Sequence, residues 1–163
     1  MGSNKTLNRD SAEIEQNSGQ EILKLGAQEV LCLAKEKNYD LYLIISGKLL
    51  VCVTKGTEVT PLAYLEKGDY LGELSFFDEH ARSAHVMTLE ECVLIRIQNL
   101  EKERHFPSWL LSVASCLTRR IRELDEVIRV KGIRRSKVNS IRPLSLTEQK
   151  LYFEAIEAAQ KRI

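Results

Sequence analysis

The chain has 163 residues, of which 44% are hydrophobic and 29% charged, and its 24 Lys and Arg nearly balance its 23 Asp and Glu. These values are ordinary for a globular protein, and the near-zero charge argues against a bulk nucleic-acid or membrane-surface binder. The charge is unevenly distributed: residues 1–98 carry 10 basic and 15 acidic side chains (net −5), and residues 99–163 carry 14 basic and 8 acidic ones (net +6).

Targeting signals and metal-ligand spacings are both missing from the sequence. The N-terminal segment is polar and has no apolar stretch typical of a secretory signal, and no apolar run approaches the ~20 residues of a spanning helix. We therefore expect a cytoplasmic protein without a membrane segment. The four cysteines form no C-x-x-C pair and each lies in an apolar run, which predicts reduced core residues rather than metal ligands; they are Cys32, Cys52, Cys92 and Cys116.

The first part of the chain is predicted to be mainly β. Residues 1–19 are polar and are expected to form a flexible arm. Between residues 20 and 98, seven short apolar or β-branched runs are separated by turn signals about ten residues apart, which favours a small antiparallel barrel or sandwich. The runs are EILKL, EVLCLA, DLYLIIS, KLLVCVT, TEVTPLAYL, AHVMTL and CVLIRI.

Residues 99–130 are predicted to be helical, with one long helix over 109–130. Apolar residues recur there in steps of four and three, as in a coiled-coil seam, and this pattern favours self-association over packing on the protein's own strands. The seam residues are Leu110, Ala114, Leu117, Ile121, Leu124 and Ile128.

Residues 131–163 are predicted to be a basic linker followed by a terminal helix. Ser145 and Glu148 have the spacing of a capping box, which places the helix at about 146–162. One face of this helix is apolar and needs a surface to pack on. The residues of this face are Tyr152, Ile156, Ala159 and Ile163.

The segment 68–84, GDYLGELSFFDEHARSA, contains the residues best suited to binding a ligand. Gly72 lets backbone amides approach a ligand closely, and amides at the start of a helical turn point toward an anion. Arg82 supplies a permanently charged fork suited to a phosphate, whereas Glu73 can accept a hydrogen bond from a sugar hydroxyl. Together these groups predict a site for a nucleotide monophosphate. An ion pair between Arg82 and Asp78 or Glu79 is the alternative.

This segment, with LYLIISGKL before it and CVLIRI after it, resembles the cyclic nucleotide-binding domain family. The pattern G-E-[LI]-[AS]…R-[STA]-A is the family's phosphate-binding cassette, and the resemblance covers residues 20–130. It implies an α+β fold: an antiparallel, jelly-roll-like β-roll over 20–98 that carries the cassette, followed by helices over 99–130, the last of them long. The step from Glu73 to Arg82 is similar to protein kinase A regulatory subunits, and Arg82-Ser83-Ala84 is similar to the catabolite activator.

The resemblance also implies roles for single residues. Arg82 would pair with the phosphate, the Gly72 amide would help to hold it, and Glu73 would accept from the ribose 2′-hydroxyl. Ser83 would offer its hydroxyl and Ala84 its amide. Three apolar residues either form the pocket wall or belong to the core: Leu71, Leu74 and Val86.

Contacts to the base are less well defined by the resemblance. Aligned on the pair Arg119-Arg120, the positions that contact adenine in the catabolite activator are here Leu124 and Asp125. Asp125 either accepts a hydrogen bond from the base or is a solvated helix residue. Cyclic AMP is the expected ligand, with cyclic GMP and cyclic dinucleotides as alternatives.

No catalytic motif is present, so we expect a regulatory sensor that needs no cofactor or metal rather than an enzyme. About 33 residues follow Val130, too few for the DNA-binding module of activator-like proteins. The expected output is therefore a contact with an unidentified protein effector, for which the terminal helix is the candidate surface. Helix 109–130 is expected to form a homodimer. The alternative is a degenerate domain that binds no nucleotide and serves as a dimerisation scaffold.

Overall fold

A computed structural model describes residues 20–131 and 142–162. Its elements, in chain order, are β1 (Gln20–Leu25), β2 (Val30–Cys32), β3 (Leu41–Ser46), β4 (Leu49–Lys55), β5 (Glu58–Leu65), β6 (Tyr70–Leu71), α1 (Glu73–Asp78), β7 (His85–Thr88), β8 (Cys92–Ile97), a 3₁₀ turn (Asn99–Glu101), α2 (Lys102–His105), α3 (Ser108–Lys131) and α4 (Leu146–Gln160). The predicted N-terminal arm and most of the predicted linker lie outside the described residues.

The strands form two four-stranded antiparallel sheets, in the orders β1-β8-β3-β6 and β2-β7-β4-β5. Because alternate residues of a strand point to opposite faces, one face of each sheet contributes to a shared apolar core. Tyr42, Ile44 and Leu94 from the first sheet meet Leu49 and Val86 from the second in this core. The predicted α+β fold with an antiparallel β-roll is confirmed.

A second apolar cluster lies on the opposite face of the β2-β7-β4-β5 sheet, beneath α4. Leu50 and Met87 of the sheet pack with Ile156 of α4. The side chain of Ile156 is only 1% exposed. The predicted capping box of Ser145 and Glu148 is present at the start of this helix. The predicted apolar face of the terminal helix therefore packs on the molecule's own roll; its last member, Ile163, lies outside the described residues.

The long helix α3 packs on α1 along one side and exposes apolar residues on the other. The Ser115 hydroxyl donates to the Phe77 carbonyl oxygen at 2.8 Å, and Thr118 is buried. Leu110 and Ala114 of the predicted seam are only half-exposed, and the side chain of Ile128 is not described. The exposed large apolar residues of this helix are Trp109, Val113, Leu117, Ile121, Leu124 and Val127.

Each of the seven predicted runs contains one of the longer strands. The strand β6 was not predicted, because its two residues are too few for an alternating pattern to be visible. The 3₁₀ turn and α2 lie in the segment 99–130 that was predicted to be helical. The predicted turn at Gly47 has φ +94, and a Cβ there would lie 2.6 Å from the Glu91 carbonyl oxygen. Of the helices in the described ranges, none combines the length and apolarity that crossing a bilayer requires.

Candidate functional site

The loop that connects the two sheets, residues 72–84, is held at both ends and in the middle. It begins at Gly72, enters α1 and leaves it at Glu79, which has φ 55. Phe76 of α1 is fully buried, and its amide donates to the Gly72 carbonyl oxygen at 2.9 Å. At the far end, the Arg82 amide donates to the Glu36 carbonyl oxygen at 3.0 Å. These contacts anchor the loop to the roll.

Gly72 makes space for the side chain of Arg82. Its φ is +86, and a Cβ at this position would lie 2.9 Å from the Arg82 Cζ and 2.7 Å from the Asp40 carbonyl oxygen. Any larger residue would therefore displace the guanidinium or the β3 backbone. The sequence predicted Gly72 as a point of close approach, but to a ligand; the structure adds the close approach to Arg82.

Arg82 is 5% exposed, and its guanidinium is only partly hydrogen-bonded. Nη2 donates to Asn38 Oδ1 at 2.8 Å and to the Asp40 carbonyl oxygen at 2.5 Å, and the group lies 5.7 Å from the centre of the Tyr42 ring. Nε and Nη1 are buried without a hydrogen-bond partner among the described residues. Buried polar groups are nearly always satisfied, and among the described residues these two donors remain available to a further acceptor.

The alternative ion pairs considered for Arg82 are not formed. Asp78 instead pairs with Arg122 of α3, with Arg122 Nη2 at 3.0 Å from Asp78 Oδ1, and Glu79 pairs with Lys102 of α2. Burial alone would raise the pKa of Asp78, but hydrogen bonds from Arg122 and from the His80 amide lower it below its usual value. The acidic residues of the loop thus connect α1 to the helices and leave Arg82 unpaired.

A cavity of about 240 Å³ lies beside Arg82, between the loop and the β4-β5 strands. Seven of the nine sequence-predicted site residues line it: Leu71, Gly72, Glu73, Leu74, Arg82, Ser83 and Ala84. Val86, predicted as wall or core, both lines the cavity and belongs to the core between the sheets. Glu73 and Ser83 are exposed at the cavity, so their oxygens are accessible.

Leu124 and Asp125 are not among the residues that line the cavity. Both are exposed on α3, and Leu124 is 61% exposed. The helix reaches the loop from the other side of α1, through Ser115 and Arg122. In this arrangement α3 leaves the cavity open, and the two predicted base contacts are not made by the helix of the same chain.

Sequence analysis missed several other residues of the site. The cavity wall opposite the loop is formed by Val51, Ala63, Leu65 and Tyr70. Val51 alternates with the buried residues Leu50 and Cys52 on β4, so strand periodicity could have placed it on the roll's inner face. Asn38, which holds Arg82, lies 44 residues away in a loop, and no sequence pattern connects the two.

The cysteines are free, as expected, and three of the four are buried. Cys32 interacts with Arg82, and burial raises the pKa of its thiol to about 11, which keeps it protonated and neutral at physiological pH. Cys116 is only half-buried on α3. Within the described ranges, no group of His, Cys, Asp and Glu is arranged to hold a metal ion.

Comparison with known proteins identifies the domain that this loop and cavity define. Residues 22–102 match the model of the cyclic nucleotide-binding domain. This part of the chain belongs to the cyclic nucleotide-binding domain family, a regulatory family that includes receptor proteins and kinase regulatory domains.

The chain is similar to the cyclic AMP receptor protein of Thermus thermophilus, with 37% identity over 89 residues that cover 52% of this chain and 41% of that protein. It therefore spans about two fifths of the length of this curated relative. The crystal structure of the catabolite activator protein from Thermus thermophilus is similar at a TM-score of 0.57 and 26% identity, covering 71% of this chain and 56% of that one. The regulatory domain of Toxoplasma gondii PKA, solved with cAMP, shares the fold at a TM-score of 0.54 and 19% identity, covering 64% of this chain and 40% of that one.

Proposed function

We propose that the chain is a sensor that binds a cyclic nucleotide in the cavity beside Arg82, and that cyclic AMP is the preferred ligand. The observation that carries this proposal is the pair of buried, unpartnered donors, Nε and Nη1 of Arg82. A ligand phosphate would satisfy both, in the side-by-side geometry that a guanidinium offers to two oxygens. Cyclic AMP is named by the relative and the kinase domain described above.

The other polar groups at the cavity suit the sugar and the phosphate of such a ligand. Glu73 is exposed at the cavity and would accept a hydrogen bond from the ribose 2′-hydroxyl, whereas the Gly72 and Ala84 amides and the Ser83 hydroxyl would donate to the phosphate. A space of 240 Å³ is smaller than the ~300–1,000 Å³ of a typical ligand pocket. We therefore propose that it holds the sugar and phosphate, and that the base extends outward, where only a moved or partner α3 could supply Leu124 and Asp125.

Ligand binding would be transmitted through the contacts between the loop and the helices. Asp78 and Phe77 of α1 contact Arg122 and Ser115 of α3, so a loop that tightens on a phosphate would move the end of α1 against α3. A ligand shifts such an equilibrium only by its different affinity for the two arrangements. We propose that the new position of α3 is recognised by a protein effector.

The proposed function is tested by titration calorimetry of the purified chain with cyclic AMP, cyclic GMP and cyclic di-GMP. We expect binding of at least one at a Kd of about 1 µM or tighter, near −8 kcal/mol. Linear 5′-AMP is the matched control, since it carries the same base and sugar with an unconstrained phosphate. Absence of binding across the panel would favour the alternative function, a dimerisation scaffold.

We also propose that α3 forms a parallel homodimer. Among the side chains of this helix that the structure describes, six large apolar ones are exposed, and exposed apolar stripes of this kind mark interaction surfaces. With Leu117 and Leu124 at d positions and Ile121 at an a position, the seam has heptad spacing. The roll already covers the opposite side through Ser115 and Thr118, so a second copy is the partner that fits this spacing.

Light scattering tests the dimer directly. The double variant Leu117→Glu, Leu124→Glu is expected to be a monomer, because it places charges in the seam. Arg119→Glu is the control, since it makes the same change of net charge at an exposed position that faces away from the seam. A double variant that remains dimeric would exclude α3 as the interface.

A further inference from the structure

The groups that contact the Arg82 guanidinium are electrically neutral. The guanidinium contacts the Asn38 side-chain oxygen, the Asp40 carbonyl oxygen and the face of Tyr42. Cys32 adds no negative charge near Arg82, because its buried thiol stays protonated. Among the described residues, no carboxylate forms an ion pair with Arg82. A buried, unpaired charge is costly, so this arrangement needs a functional explanation.

The carboxylate of Asp40, the residue whose backbone carbonyl accepts from Arg82, is engaged by other groups. The Asp40 carboxylate accepts from Arg96 Nη2 at 2.6 Å and from the Asn99 amide at 2.9 Å, so only the Asp40 backbone carbonyl faces the site. Arg96 is itself held by Glu21 on β1. The negative charge of Asp40 is thus balanced by a second arginine, and Arg82 keeps its own charge.

Asn38 is fixed in the orientation that Arg82 requires. Its Oδ1 accepts from the Asp40 amide at 3.0 Å as well as from Arg82, and its Nδ2 donates to the Tyr42 hydroxyl at 3.2 Å. Two donors on one side and an acceptor on the other define which end of the amide is oxygen. The side chain therefore presents a neutral, pre-oriented acceptor to Nη2.

We infer that Asn38 is a positioning residue that holds Arg82 for a ligand phosphate without neutralising it. This inference rests on the proposed function. A carboxylate at this place would also accept from Nη2, but it would bring a negative charge into the site and compete with the phosphate. The Asn38 amide orients Arg82 without neutralising it. The ligand-free protein is therefore less stable than it would be with a carboxylate at this position, but its affinity for the phosphate is higher.

Two substitutions at position 38 separate this role from a purely structural one. Asn38→Asp keeps the shape and adds a charge: we expect cyclic AMP affinity to fall by about tenfold or more while the thermal midpoint of the ligand-free protein rises. Asn38→Ala removes the acceptor: affinity and the ligand-free midpoint are both expected to fall, because Nη2 and the Asp40 amide lose a partner. Gln28→Glu is the control, since it adds the same charge in an exposed turn that does not line the cavity.

The measurements are calorimetric titration with cyclic AMP and thermal unfolding without ligand, on the full chain. Opposite effects of Asn38→Asp on affinity and on stability would support the inference. It would be overturned by Asn38→Asp binding within about twofold of wild type, or by that variant losing stability as well as affinity. If the wild-type protein binds none of the cyclic nucleotides, both this inference and the proposed function are contradicted. If wild type binds and the Asn38 variants bind equally well, only this inference is contradicted.

Discussion

Arg82 shows how residues far away in the sequence can fix the position of a single side chain. The short pattern around Gly72 and Arg82 predicts a phosphate site from the chemistry of the two residue types, and that site stays a prediction. The space that Gly72 leaves for the guanidinium, and the contacts from Asn38 and Asp40, could not be predicted, since they depend on the approach of β3 to the loop.

A second single residue, His85, should make the free energy of unfolding depend on pH. It is buried, accepts from the Ala34 amide at its Nδ1 and contacts Thr54 through Nε2, and burial lowers its pKa below the usual value of 6.5. The unfolded chain therefore takes up a proton first as pH falls. The free energy of unfolding should be constant above about pH 7 and decrease as pH falls through about 6.5 toward the lower pKa of the folded protein.

His85→Gln should reduce this decrease between about pH 7.5 and 5.5, measured by urea unfolding. Equal slopes for wild type and His85→Gln would show that His85 does not titrate in this way.

At the scale of elements, periodicity predicted the strands of three or more residues and both long helices. The two-residue β6 was missed because it spans a single period. The short helices after β8 lie within the segment 99–130 that was predicted to be helical, but their separate bounds were not predicted. The terminal helix was predicted with its cap and its apolar face, but its binding surface was not. That surface is the β2-β7-β4-β5 sheet, whose outer face is assembled from strands distant in sequence.

Ile156→Ala tests whether α4 is an integral part of the folded domain. The side chain is almost fully buried against the sheet, so we expect the free energy of unfolding to fall by about 2–5 kcal/mol. Leu146→Ala, at an exposed position of the same helix, should change it by less than about 0.5 kcal/mol. Denaturant titration measures both; an Ile156→Ala variant as stable as wild type would mean that α4 is detached in solution.

For the whole molecule, the near-zero net charge conceals two regions of opposite sign. The −5 part contains the roll, which would bind an anion through the buried Arg82 rather than through its overall field. Part of the +6 segment is α3, where Arg120 and Asp125 are both exposed beside the apolar stripe. The sequence predicted this helix, and its self-association stays a prediction, whereas the side covered by the roll became evident only from the structure.

The charges on α3 make a specific prediction for the dimer. In a parallel arrangement, Arg120 at a g position faces Asp125 at the e position of the partner helix five residues on. Arg120→Glu or Asp125→Arg alone should weaken association roughly threefold to tenfold, and the double variant should restore it, as measured by sedimentation equilibrium. A double variant weaker than either single one would contradict the parallel alignment.

Titration of cyclic AMP into wild type and Arg82→Ala tests the central claim most directly. Loss of a charge-assisted phosphate contact of about 1.5–3 kcal/mol should weaken binding by about tenfold or more. Arg104→Ala, which removes an exposed guanidinium outside the cavity, should bind as wild type does. Tight binding by wild type that Arg82→Ala leaves unchanged would contradict the account, since the nucleotide would then bind without the guanidinium around which the site is built.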